Sequence, residues 1–202
     1  VFLIIFIIIA IMSKTTLSEY LKMIGDSFAD IRITNNKRKK LDTNETLDLI
    51  IKKFQQAKIK KKKLILIGNG GSAAVCGHIS EDFTKVGKIR AINFNDGPFL
   101  TCLSNDYSFE QVFKKAIEFH ADAGDILIAI SSSGNSMNIR NGVKSAKKKK
   151  CWTITLSGFK NDNALSKMGD LNIYTPTSNY GITESSHEII LHYLLDTIAK
   201  FI

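Results

Sequence analysis

Four apolar residues, Leu64-Ile65-Leu66-Ile67, run without a polar interruption and stop abruptly at Gly68-Asn69-Gly70-Gly71-Ser72. Such a run reads as a β-strand buried on both faces. The glycines that end it require a tight turn, because glycine reaches positive φ at no steric cost and leaves the backbone open to a ligand. Residues Ala73 to Asp82 then follow a helical pattern, with Ser72 expected at or near the N-cap. A buried strand, a bare turn and a helix N-terminus in that order make a ready anion site, for phosphate above all. A glycine-rich turn also serves packing alone. The spacing fits neither GxGxxG nor GxxxxGK[ST], since no lysine follows the glycines.

The rest of the chain repeats the theme. Strands are expected at Arg90–Phe94, Asp125–Ile130, Cys151–Leu156 and Leu171–Tyr174, and helices at Phe109–His120, Ser136–Lys150, Ala164–Met168 and Thr183–Ile202. Alternating βα units predict an α/β fold, a doubly wound parallel sheet with ligands beyond the carboxyl ends of its strands. Upstream, apolar residues recur at helical spacing in Leu17, Tyr20, Leu21, Ile24 and Phe28, and again in Leu47, Ile50, Ile51 and Phe54. Two helices are therefore expected before the first strand, joined by an exposed bend at the charged stretch Asn35–Lys40.

With 202 residues and 44% hydrophobic content, one domain over residues 12–202 is the expectation. The net charge of +9 raises the question of nucleic acid. Its densest runs, Lys58 with Lys60–Lys63 and Lys147–Lys150, each close a helical pattern, where lysine complements the macrodipole and a solvated loop tolerates it. No groove-reading motif accompanies them, so no nucleic-acid partner is expected. Cys76, Cys102 and Cys151 show no CxxC spacing, which argues against a disulfide framework or a structural zinc site and fits a reducing cytoplasm. Residues 1–11, VFLIIFIIIAI, would span only about 17 Å as a helix, short of a bilayer crossing. They read as an apolar head outside the fold, and no membrane partner is expected.

A second loop, Ser131-Ser132-Ser133-Gly134-Asn135-Ser136, follows the Ile126–Ile130 run and opens the next helix. One serine would suffice as a helix cap; four hydroxyls suit a phosphate monoester. On the first helix His78 and Asp82 lie at i, i+4, and on the last Glu184 and His192 lie at i, i+8. The spacing alone is compatible with a mixed histidine–carboxylate metal site, with an acid–base pair, or with satisfied helix residues.

The segments GNGGSAAVCGHISEDF, LSNDYSFEQVF, AISSSGNSMNI and the closing E-x-x-H-x-x-x-x-H resemble the SIS (sugar isomerase) domain family, and within it the bacterial phosphoheptose isomerases, from about Ser13 onward. The resemblance implies a cytoplasmic homotetramer, with its active site near subunit interfaces. It implies isomerisation of sedoheptulose 7-phosphate for lipopolysaccharide or capsule heptose. Asn69, Gly70, Gly71 and Ser72 match the first substrate loop of the family, Asn105 and Asp106 its Asn-Asp pair, and Ser131, Ser132, Ser133 and Ser136 its phosphate loop. His78, Asp82, Glu184 and His192 match its metal and acid–base positions, implying one Zn2+ per subunit, with Asp82 and His192 catalytic and Asp82 and Glu184 also on the substrate. Three positions depart from the family pattern: Asp82 replaces a glutamate, Glu184 a glutamine, and Val86 a basic residue. These departures leave open another phosphosugar as substrate. A non-catalytic phosphosugar-binding regulator, or a partner of a replication initiator, would keep the loops and lose the acid–base pair.

Overall fold

The computed structural model describes residues 15–200; the apolar head, residues 1–11, lies outside them. Seven strands form one sheet in the order β2-β1-β7-β6-β5-β3-β4. They are β1 (Arg32–Asn35), β2 (Lys40–Leu41), β3 (Leu64–Ile67), β4 (Ala91–Asn93), β5 (Ile126–Ser131), β6 (Trp152–Ser157) and β7 (Leu171–Tyr174). The five strands from β7 to β4 are parallel, while β1 runs antiparallel to both β7 and β2. Every residue of β3 and β5 is buried, as uninterrupted apolar runs require in a sheet covered on both sides.

Helices α1 (Leu17–Ala29), α2 (Thr43–Ile59), α3 (Gly71–Lys85), α4 (Gly97–Asp106), α5 (Val112–His120), α6 (Met137–Lys148) and α7 (Tyr180–Ala199) make the outer layers. Alternation along each strand divides the interior in two. Leu64, Leu66, Ile126, Ile128, Ile154 and Ile173 pack with α2, α3 and α7. Ile65, Ile67, Leu127 and Ala129 pack with α4, α5 and α6. Each such side chain, fully removed from water, contributes about 1.5–3 kcal/mol before the cost of ordering it. Along this second face the registers carry the row from Ala129 through Thr155 and Asn172 to Thr34, and from Ser131 through Ser157 and Tyr174 to Arg32. The face thus turns from apolar to polar as it passes beyond α6, and Thr155 Oγ1 donates to Asn172 Oδ1 at 2.8 Å.

Two local expectations need correction, those for the stretch between the first two helices and for Lys63. The chain between the first two helices forms the β1–β2 hairpin, so a strand precedes α2; of the expected bend Asn35–Lys40, residues 36–39 are the exposed connection and the two ends belong to the strands. Ile33 alone enters the core, too weak a periodic signal to announce a strand. Residues 97–106 form α4, capped by Asp96 with proline in its first turn. The N-cap of α3 is Gly70, and Ser72 lies near it, inside the first turn, as expected. Lys63 is buried rather than solvated: its Nζ meets Asp122 at 2.6 Å and the fully buried Asp125 at 2.8 Å. Burial pulls the Lys63 pKa down, but the two carboxylates together outweigh that pull and hold it above its ordinary value. Two other lysines take the left-handed backbone where glycine is usual after a helix cap: Lys61 (φ 53°) behind α2 and Lys150 (φ 61°) behind α6.

Candidate active site

The strand order changes direction at β3, with β4 on one side and β5 on the other. Brought together at this switch point, the loops after β3 and β5 enclose a crevice of the kind that holds ligands in open α/β sheets. Asn69, Gly70, Gly71, Ser72, Ser131, Ser132, Ser133, Ser136, Tyr180 and Glu184 line a pocket of about 290 Å³ there. The two expected loops therefore form one site.

The helix ends in this pocket differ from most others. Side chains of Thr16, Asp42, Asp96 and Asn179 cap α1, α2, α4 and α7. At α3 and α6 the N-caps, Gly70 and Ser136, make no side-chain capping bond. Free amides at two converging N-termini favour an anion twice over. Gly70, at φ 53° and ψ −125°, holds a backbone that other residues rarely adopt. In the serine loop the Gly134 amide donates to Ser131 Oγ at 3.2 Å, Ser131 and Ser136 hydroxyls lie 3.4 Å apart, and the buried Ser132 Oγ has no partner.

Asn138 joins the loops. Its amide exchanges two 2.9 Å hydrogen bonds with that of Asn69, and its Oδ1 also accepts from the Ile139 amide at 2.9 Å. Sequence reasoning missed Asn138, whose partner lies 69 residues away. It also missed Tyr180, held edge-on against Phe159 with ring centroids 4.7 Å apart.

His78, Asp82 and His192 converge at the interface of α3 and α7, each with a ligand atom within 4.8 Å of the others. His78 Nε2 is 3.2 Å from Asp82 Oδ2, and the two imidazole centroids are 5.3 Å apart. Two imidazoles and a carboxylate fit a divalent ion such as zinc, with a coordination position left for substrate. The His78 side chain is 52% exposed, so an ion could enter from solvent. Glu184 is not part of this group: its carboxylate lies against Gly71, where a Cβ would collide with it. Asn105 and Asp106 stand exposed in the last turn of α4, joined by a 3.0 Å hydrogen bond from Asn105 Nδ2 to Asp106 Oδ1, and do not line the serine pocket.

An anion-favouring switch point beside a histidine–carboxylate cluster is the arrangement of an α/β protein built to take a charged small molecule. Residues 33–158 match the SIS domain family, and the chain belongs to that family. Within it, the chain groups with the phosphoheptose isomerases. It is 36% identical over 146 residues to the phosphoheptose isomerase of Buchnera aphidicola, covering 69% of this chain and 75% of that protein. It is 39% identical over 145 residues to that of Sulfurimonas denitrificans, covering 69% and 74%. The structure of phosphoheptose isomerase from Neisseria gonorrhoeae superposes with a TM-score of 0.71 at 30% identity, over 76% of this chain and 86% of that one. The fold extends to a Francisella tularensis phosphoheptose isomerase at TM-score 0.78 and 23% identity, covering 91% and 96%. Among the described residues no helix is long and apolar enough to cross a membrane.

Proposed function

We propose that this isomerase interconverts sedoheptulose 7-phosphate and D-glycero-D-manno-heptose 7-phosphate, supplying heptose for lipopolysaccharide or capsule. The observation that carries the reading is the pair of uncapped helix N-termini, α3 and α6, opening on one serine-lined pocket. There the amides and the hydroxyls of Ser131, Ser133 and Ser136 would take the phosphate without a fixed cation. Along α7 Glu184 and His192 are separated by about 12 Å of helix rise, a span on the scale of an extended seven-carbon phosphate. The sugar then lies with its phosphate among the serines and its carbonyl end toward His78, Asp82 and His192.

Aldose–ketose exchange moves one proton between adjacent carbons and one between their oxygens, through an enediol. Asp82, with His78 Nε2 at 3.2 Å, would act as the base at carbon, and His192 would handle the oxygen-bound proton. His78, Asp82 and His192 would also hold one Zn2+, which as a Lewis acid would polarise the sugar oxygens; a group that ligates the ion cannot freely carry a proton at the same time, so the two roles of Asp82 and His192 compete. Glu184, on the sugar side of the serine pocket, would accept from substrate hydroxyls. We further propose that Asn105 and Asp106 reach substrate only in a homotetramer with sites near subunit interfaces, working in the cytoplasm.

The test is an isomerase assay with sedoheptulose 7-phosphate, on protein as purified, after EDTA, and after zinc is restored. Turnover should vanish with EDTA, return with zinc, and fall at least about 100-fold in His192→Ala with the fold intact. Near-normal activity in that variant would overturn the acid–base assignment. Phosphosugar binding without turnover would point instead to another ketose phosphate.

A further inference from the structure

The polar end of the second sheet face holds a pocket of about 180 Å³, separate from the active site and sharing no lining residue with it. Arg32, Thr34, Asn172 and Tyr174 stand on one face of the β1–β7 pair, where Arg32 opposes Tyr174 and Thr34 opposes Asn172. Arg38, in the hairpin connection, and Asn161 and Ser166, from the segment after β6, complete the lining. All seven lining residues are polar and none is acidic.

Neither arginine has a carboxylate within ion-pair distance or a hydrogen-bond acceptor for its guanidinium among the described residues. The nearby polar atoms are already oriented: Tyr174 hydroxyl donates to the Phe159 carbonyl at 2.7 Å, and Asn172 Oδ1 accepts from Thr155 Oγ1 and the Gly169 amide at 2.8 Å each. Both guanidinium groups are left without a protein partner in the pocket, beside the equally unpartnered Thr34 hydroxyl and Asn161 side-chain amide. Two guanidinium forks with no internal counter-ion match a tetrahedral oxyanion better than a sugar or a cation. An exposed arginine alone is commonly solvated; two from separate parts of a hairpin, facing one acid-free pocket, are not explained by core packing.

We propose that Arg32 and Arg38 form a second oxyanion site, for a phosphate dianion, free or esterified, on the face of the β1–β7 pair opposite α2. The segment that supplies Asn161 and Ser166 also touches the serine loop of the active site: the Leu165 amide donates to the Gly134 carbonyl at 2.9 Å, and a Cβ at Gly134 would collide with Asn163. Occupancy of the second site would therefore bear on a segment in direct contact with the first.

Calorimetric titration of the full chain with inorganic phosphate tests the proposal. The wild type should show two sites per chain. Arg32→Ala/Arg38→Ala should retain one, and Ser131→Ala/Ser133→Ala should retain the other. Arg32→Lys/Arg38→Lys, which keeps charge but loses the fork, should weaken the second site by about tenfold or more and leave the melting temperature unchanged. A parallel titration with glycerol 3-phosphate separates the sources. Tighter binding than phosphate at the arginine site assigns a metabolite ester, and equal or weaker binding assigns free phosphate. Unchanged stoichiometry in both arginine variants, or a single wild-type site removed by the serine changes, would overturn the proposal.

Discussion

Gly71 has no room for a side chain, and the reason is Glu184. The first residue of α3 lies beneath a carboxylate reaching from α7, so the absence of a Cβ sets where that carboxylate rests in the pocket. Its φ is not in the left-handed region, so the requirement is one of space and not of backbone freedom. Gly71→Ala should push Glu184 aside and lower kcat/KM by about 100-fold, with a melting temperature within a few degrees of wild type. Steady-state kinetics beside a thermal melt checks this, and near-wild-type kinetics would mean that the carboxylate shifts at no cost. Asp82 illustrates a second residue-scale constraint. One methylene shorter than the glutamate of the family pattern, it depends on position, and the 3.2 Å contact with His78 supplies a fixed one.

At the scale of elements, legibility followed burial. The strands β3 and β5 could be read from uninterrupted apolar runs, β6 from β-branched and apolar residues in alternation, and α3, α6 and α7 from loops and spacings that precede or lie on them. The β1–β2 hairpin was illegible because its pairing with β7 is set by the sheet edge and not by its own pattern. Likewise α4 opens with Gly97-Pro98 and buries only Leu103 within its length, leaving little periodicity to find. In the site, the His78–Asp82 pairing was visible as i, i+4; the link between Asn69 and Asn138 exists only once two βα units stand side by side. His187, the middle member of the closing motif on α7, shows what an element can conceal. It is fully buried, and neither ring nitrogen reaches a partner in hydrogen-bond geometry. Burial lowers its pKa to about 4, against a smaller opposing effect of the Ser157 backbone. Because the folded value lies below the unfolded one, the unfolded chain binds more protons between about pH 6.5 and pH 4. Stability should be undiminished above pH 6.5 and fall by about 3 kcal/mol as pH drops through that window. Denaturant titrations of wild type and His187→Asn across it should show this slope in the first and its loss in the second.

For the whole molecule, one sheet carries two opposite demands. Its centre is dry enough to rely on apolar packing on both faces, and one face of its β1 end is left to polar groups. The buried pair of Lys63 and Asp125 ties the amino end of β3 to that of β5, away from the pocket at their carboxyl ends. Chemistry and anchorage thus occupy opposite ends of the same strands. The left-handed lysines behind α2 and α6 lie at the anchored end. Each holds a backbone that costs an ordinary residue about 1 kcal/mol and a glycine little. Lys61→Gly/Lys150→Gly should therefore melt several degrees above wild type, with unchanged kinetics, as a calorimetric scan and an activity assay would show. A melting point no higher than wild type would mean that the lysines recover the cost through the helix ends they close. Heat tolerance in this fold can then be tuned from the side of the sheet that substrate never visits.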